Sequence, residues 1–342
     1  MMSTNATPAL AVTRYTTSNG VRLYRIPMQA FPMLVAHAYV VIAGDYAALI
    51  DTGSGLGASD AQLEAGFAAL GAEWGEALAW SDLRRIVITH AHVDHYGGLG
   101  LVRRFSNAPI AVHVLDRRVL VHHAERLALA SRAVGDFLWR AGVTPEQHAQ
   151  LIGMYGWSKG LFQSVDVATV LEDGDLLDGL FRVYHTPGHC PGQVCLLVDD
   201  VLLTADHILP STSLFLPPES ITPATGLEHY LHALRRMRSV AGIRLALGGH
   251  ETPIDDLYGC IDALEAHQLQ RVGRIHAACA EPRTLLELTN LLYPGVSEYD
   301  RLLALQKVGA YVEYLDQRGE LAVANFEEVA GDARVAPRYR QA

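Results

Sequence analysis

Between residues 12 and 53 apolar and polar positions alternate through VRLYRIPMQ, MLVAHAYVVIAG and YAALIDTG, with Gly and Asp at the breaks, which predicts successive β-strands. The period then lengthens: Leu63, Phe67 and Leu70 in SDAQLEAGFAALGA share one face of a helix, before LRRIVITH returns to strand. GGLGLVRRF reads as a helix start and APIAVHVL as a further strand. From 115 to 165 the text is helical, with LDRRVLVHHAERLALASRAVGDFLWRAG and TPEQHAQLIGMYGWS separated by a Gly-Val-Thr-Pro break. Strands resume in VDVATVLEDGDLL, FRVYHTPG, QVCLLVDD and VLLTAD, followed by a helix over 226–240 and the strand IRLALGGH. Two runs of strands, each closed by helices, predict two packed sheets with helices outside. From 262 the pattern is again helical through TLLELTNLLYP and YDRLLALQKVGAYVEYLDQRG, with a strand-like ELAVANF. The expected organisation is a catalytic domain over 12–261 with a helical insertion at 115–165, a small C-terminal cap over 262–328, and a loose tail over 329–342.

Composition narrows the function classes. No apolar stretch approaches the roughly 20 residues of a membrane helix, and MMSTNATPALAVTRYTTSNG has no basic segment followed by an apolar one, so neither a membrane span nor a secretory signal is expected and the cytoplasm is the expected compartment. Four scattered cysteines make neither a disulfide framework nor a zinc ribbon. A formal charge of −10 argues against a general nucleic-acid binder. The 16 histidines are the informative excess, because several are clustered and imidazole is the commonest side-chain metal ligand.

In ITHAHVDHYGG, His90, His92, Asp94 and His95 fall within six residues between a strand and a Gly-Gly turn. His90 and His92, two apart on extended chain, point to one side and can share a metal; Asp94 and His95, past the strand end, are turned elsewhere and can serve a second. His189 in HTPGH, Asp206 in LLTAD and His250 in LALGGH each end a later predicted strand, where a sheet fold can bring them together.

HAHVDH, PGH, the TAD aspartate and GGH, in that order, resemble the metallo-β-lactamase superfamily over residues 12–255. The resemblance implies a four-layer αβ/βα sandwich, here with the helical insertion and a small, mostly helical, winged-helix-like C-terminal domain. It also implies a first metal on His90, His92 and His189, a second on Asp94, His95 and His250, Asp206 bridging them, and Asp51 of LIDTG behind the ligands. Asp94 would hold a metal-bridging hydroxide for attack on a carbonyl. Three imidazoles with a carboxylate suit zinc, and the more oxygen-rich second site would also take iron or manganese, so two divalent ions are expected. His185, His207, Cys190 and Cys195 are not needed as ligands, and His122 and His123 read as a solvated helix face.

Local departures weigh the chemistry. Family members that hydrolyse β-lactams commonly place a cysteine where this chain has Asp206, and acyl-homoserine lactonases a tyrosine where it has Leu209. The expected reaction is hydrolysis of a small acyl thioester or ester, of the hydroxyacylglutathione hydrolase kind. The alternatives are a metal-dependent endoribonuclease or phosphodiesterase, and a lactonase or β-lactam hydrolase. Over residues 282–324 four basic residues stand against six acidic ones, the wrong sign for a nucleic-acid reader, so a small-molecule substrate is the expected partner. Leu138, Trp139, Leu151, Met154, Tyr155 and Trp157 of the insertion are the expected apolar wall of its pocket, and Arg271 and Arg274 are candidate contacts for an anionic tail. Leu305, Val308, Val312 and Leu315 share a helix face that fits the main domain or a second subunit, which leaves a homo-oligomer open.

Overall fold

The structure is a computed structural model in which residues 10–160, 162–296, 298–332 and 334–342 are described. Seven strands form the first sheet in sequence order: β1 Thr13–Thr16, β2 Arg22–Phe31, β3 Leu34–Ala43, β4 Tyr46–Ile50, β5 Arg85–Ile88, β6 Ile110–His113 and β7 Thr169–Leu171. The first four pair antiparallel, and β4 to β7 run parallel. The second sheet holds β8 Leu176–Leu177, β9 Phe181–His185, β10 Val194–Val198, β11 Val201–Ala205 and β12 Leu245–Gly248, in reverse order, with only β11 and β12 parallel.

The alternation along β3 shows why these strands stack in layers. Tyr39 and Val41 face the second sheet, where they join Val183, Leu196 and Leu203 in one core. Ala38, Val40 and Ile42 face the other way, against Leu63, Phe67 and Leu70 of helix α1, Ser59–Trp74. Each of the larger aliphatic side chains and Phe67, when fully buried, contributes about 1.5–3 kcal/mol. Both faces of the central strands are therefore apolar, as a sheet covered on both sides requires.

Short helices α2, Val93–Tyr96, and α3, Leu99–Val102, follow β5. The insertion is α4 Val114–Val121, α5 His123–Ala141 and α6 Pro145–Lys159; Thr144 and Gln147 close a reciprocal cap on α6, with Pro145 at its first position. Beyond the second sheet come α7 Leu227–Arg238, α8 Leu257–Ala278, α9 Leu285–Leu292 and α10 Glu298–Asp316. Leu305, Val308, Val312 and Leu315 of α10 are all buried in one core with residues of α5, α7 and α8, so that face packs within the chain. Helix α8 runs unbroken through position 262, where the C-terminal segment was expected to begin.

The expected loose tail is corrected. After β13, Leu321–Val323, and α11, Phe326–Gly331, strand β14, Tyr339–Gln341, pairs antiparallel with β13. Its backbone is also tied to Arg283 and Cys279. Those hydrogen bonds come from distant segments, so no local periodicity announces them. No described helix is long and apolar enough to cross a membrane.

Candidate metal centre and the cavity beside it

His90 and His92 follow β5, whose parallel neighbours end on the same side, and the side chains from the second sheet meet them there. His189 comes from the turn between β9 and β10, Asp206 from the end of β11, and His250 from the end of β12. Possible ligand atoms of His90, His92 and His189 lie within 4.8 Å of one another, as do those of Asp94, His95 and His250, and those of His90, His95 and Asp206. Asp206 stands between the groups: Oδ1 is 3.3 Å from His95 Nε2, and Oδ2 is 3.2 Å from His250 Nε2 and 3.6 Å from His189 Nε2. Asp94 Oδ2 is 3.3 Å from His250 Nε2.

The backbone aims these atoms. His189 Nδ1 donates to the Phe215 carbonyl at 2.6 Å, His250 Nδ1 to that of Val35 at 2.6 Å, and His95 Nδ1 to Asp51 Oδ2 at 2.8 Å, so in each ring Nε2 is left for the centre. Asp51 is itself fixed by the Thr89 amide and hydroxyl, each at 2.8 Å, and sits at φ 58°, where a non-glycine residue is strained. In GGH, a Cβ at Gly249 would lie 2.5 Å from Asp206 Oδ1 and 2.7 Å from His95, so only glycine fits.

The donor set fits divalent metal ions. Ligands about 2.0–2.1 Å from a tetrahedral zinc ion stand roughly 3.3 Å apart, the spacing found around Asp206. His95 Nε2, His189 Nε2 and Asp206 Oδ1 are buried without a hydrogen bond, a cost that a metal bond would remove. The carboxylates make the centre attractive to positive charge. Burial disfavours charge on His95 and His250, but the Asp206, Asp51 and Asp94 carboxylates outweigh it for the first, and those of Asp206 and Asp94 for the second, raising His250 to about 10. Against its own burial, the imidazolium charges hold Asp94 down at about 2. Burial and the neighbouring His95 and His92 keep His90 neutral, as a ligand must be.

Other candidates lie elsewhere. His185 stacks on His113 and bonds the Pro191 carbonyl, and His207 is buried against Tyr230. Burial raises the thiols of Cys190 and Cys195 well out of the range of a ready thiolate. Arg271 and Arg274 line a separate small cavity with Tyr293 and Tyr311.

A cavity of about 400 Å³ opens beside the centre, with His92 and His189 in its wall. Among the expected wall residues Tyr155 lines it; Leu138 and Leu151 are core, Trp139 stacks on His148, Met154 is half-buried away from it, and Trp157 lies outside the described side chains. The wall is instead made by α4 and α5, with Leu127, Ala130 and Val134, because α5 turns that face inward. His123 is a second correction: it is 4 % exposed, lines the cavity, and has Nδ1 3.2 Å from the Tyr96 hydroxyl. The first turn of α5 packs under the metal-binding loop, which helical periodicity alone does not reveal.

Asp116 is the residue that the sequence reading missed. Fully buried, its carboxylate accepts the Ala91 amide at 2.8 Å, the Gly192 amide at 2.9 Å and the Cys190 thiol at 3.2 Å, joining the loop of His90 and His92 to that of His189. Gly192 is dictated by this contact, since a Cβ there would sit 2.5 Å from the Asp116 carboxyl carbon.

Comparison with known proteins agrees with this geometry. The family model described as "Metallo-beta-lactamase superfamily" matches residues 32–255. A probable metallo-hydrolase of Bacillus subtilis, YqjP, is 24 % identical over 91 % of this chain and 96 % of its own. The human acyl-coenzyme A thioesterase MBLAC2 is 30 % identical over 56 % of this chain and 65 % of its own. A crystal structure of a metallo-beta-lactamase family protein from Thermus thermophilus superposes with a TM-score of 0.75 at 27 % identity, covering 94 % of this chain and 98 % of that one.

Proposed function

From the premise that this chain belongs to the metallo-β-lactamase superfamily and is a metal-dependent hydrolase, we propose that it cleaves acyl thioesters or related esters at a centre held by His90, His92, Asp94, His95, His189, Asp206 and His250. The observation that carries this reading is the cavity: a largely apolar, open-mouthed chamber of about 400 Å³ with His92 and His189 in its wall suits a small molecule better than a polynucleotide. The human relative is an acyl-coenzyme A thioesterase, which supports the reading over the part of the chain that it matches.

Two divalent ions, when bound, would polarise the scissile carbonyl and make water nucleophilic at neutral pH. The remaining work falls to the chain. His90, His92 and His189 would hold the first ion and Asp94, His95 and His250 the second, with Asp206 between them. The ionised Asp94 carboxylate would accept a hydrogen bond from the attacking water and orient it. Water adds to the acyl carbon, the carbon–sulfur bond breaks, and the proton passes to the departing thiolate, giving a carboxylic acid and a thiol. Tyr96 and His123, adjacent in the cavity wall, are placed to hydrogen-bond that leaving group. A thiolate leaves readily, so the site needs no strong acid.

The test is turnover by protein reconstituted with zinc, iron or manganese on acyl thioesters, lactones, β-lactams and bis-p-nitrophenyl phosphate. The expected result is the highest kcat/KM on a thioester or simple ester. Faster cleavage of the phosphodiester, a lactone or a β-lactam would overturn the reading.

A further inference from the structure

We infer that the chamber beside the metal centre is a binding site for an apolar acyl chain, entered chain first, with a negatively charged thiol carrier left at the rim against Arg118 and Arg126; this rests on the thioester reading and narrows it.

Exposure orders the lining from floor to mouth. Val134 and Tyr155 are buried and join the core shared by the insertion and C-terminal helices, so they form the floor. Ala130 and Ala133 of α5 are small and half-buried, which leaves the width of the chamber open along that helix. Phe215 stands at the metal end, its ring 6.3 Å from that of His189 and 6.5 Å from that of His92. Arg118 and Leu129 reach solvent at the mouth.

Several polar groups of the wall are already engaged. Thr225 Oγ1 donates to the Thr222 carbonyl at 2.6 Å, and Asp116 is taken up by two amides and a thiol. A hydroxyl on an acyl group lying along the Leu127, Ala130 and Val134 face would meet no partner there, a loss of about 1–3 kcal/mol that a methylene does not suffer. An apolar chain is therefore preferred over the hydroxyacyl group expected from the sequence. The carrier's orientation follows from charge. Arg118 makes no ion pair among the described residues, and Arg126 has only the exposed Glu125 at 3.8 Å, so both can meet a phosphate or carboxylate.

The test uses the full chain with two series: coenzyme A thioesters from acetyl to dodecanoyl for turnover, and unreactive S-alkyl coenzyme A thioethers of matching length for calorimetric binding. Both kcat/KM and thioether affinity are expected to rise about fourfold per methylene until the chamber is full. Ala133→Phe, with Ala130→Leu as a second variant if the first folds poorly, should lower the decanoyl-to-acetyl ratio of kcat/KM more than tenfold. Replacing Arg118 and Arg126 together by Ala should raise KM for every chain length while leaving the slope per methylene in place. Thioester turnover with no dependence on length, or a ratio unmoved by both chamber variants, would overturn the inference and leave the hydrolase reading standing. A KM unmoved by the arginine replacements would overturn the assigned orientation. Length-dependent thioether binding without thioester turnover would support the chamber and sink the thioester reading instead.

Discussion

Asp116 shows how much one side chain can organise. Its partners lie 25, 74 and 76 residues away in the chain, and all belong to loops that carry the three imidazoles proposed for the first metal. Burial pushes its carboxyl upward, while the donated thiol and amide hydrogens hold it back toward the charged form. Groups that orient ligands in this way are commonly worth about 10–100-fold in metal affinity. Asp116→Asn, which keeps one carbonyl oxygen, should weaken zinc at the tri-histidine site about tenfold, and Asp116→Ala by more, measured by competition with a chromogenic chelator. Unchanged affinity in both would show that the loops hold themselves. Nothing in LDRRV distinguishes this aspartate from an ordinary acidic residue in the first turn of a helix.

Helix α10 illustrates what a single element contributes. It packs Leu305, Val308 and Val312 inward, and it also sends two polar groups to the segment that closes the cavity: Lys307 donates to the Ser213 hydroxyl, and Glu313 accepts the Glu219 amide at 2.8 Å. Lys307 is 5 % exposed, and burial, aided by the charge of Arg271, lowers its ammonium to about 7. A lysine depressed in the fold binds its proton more weakly than in the unfolded chain. Stability should therefore rise with pH between about 7 and the ordinary lysine value of 10.5, because only the unfolded chain stays protonated there, and the burial cost is fully present below 7. Lys307→Met should melt above the wild type near pH 6.5, with the gap closing toward pH 10, both proteins being compared with metal bound so that the ligand histidines do not titrate. A gap that stays constant would mean that Lys307 is charged throughout. The sequence showed α10 as an amphipathic helix of acidic balance; it did not show that its one lysine turns inward.

At the scale of the whole molecule the centre lies across the seam between the two sheets. His90, His92, Asp94 and His95 come from the β5 end of the first, and His189, Asp206 and His250 from three strand ends of the second. Bound metal would cross-link the sheets and act as a ligand of the folded state alone. At a free zinc concentration 100 times Kd that linkage is about 2.7 kcal/mol per site. Chelation should accordingly lower the melting temperature by roughly 5–10 °C, read by calorimetry before and after zinc is restored; an unchanged melting temperature would mean that the sheets are held without the ions. The local chemistry of this centre was legible in the chain. HAHVDH packs four ligand-type residues into six positions after a strand, and PGH, TAD and GGH each set one more at a strand end, where small residues clear the space around them. Layering was legible too, because period-two alternation with both faces apolar admits little except a covered sheet. The chamber, the clamp at Asp116, the inward turn of His123 and the pairing of β14 were decided only by the tertiary structure. Each depends on which face of an element meets a segment dozens of residues away, and helical or strand periodicity specifies that a face is buried without specifying against what.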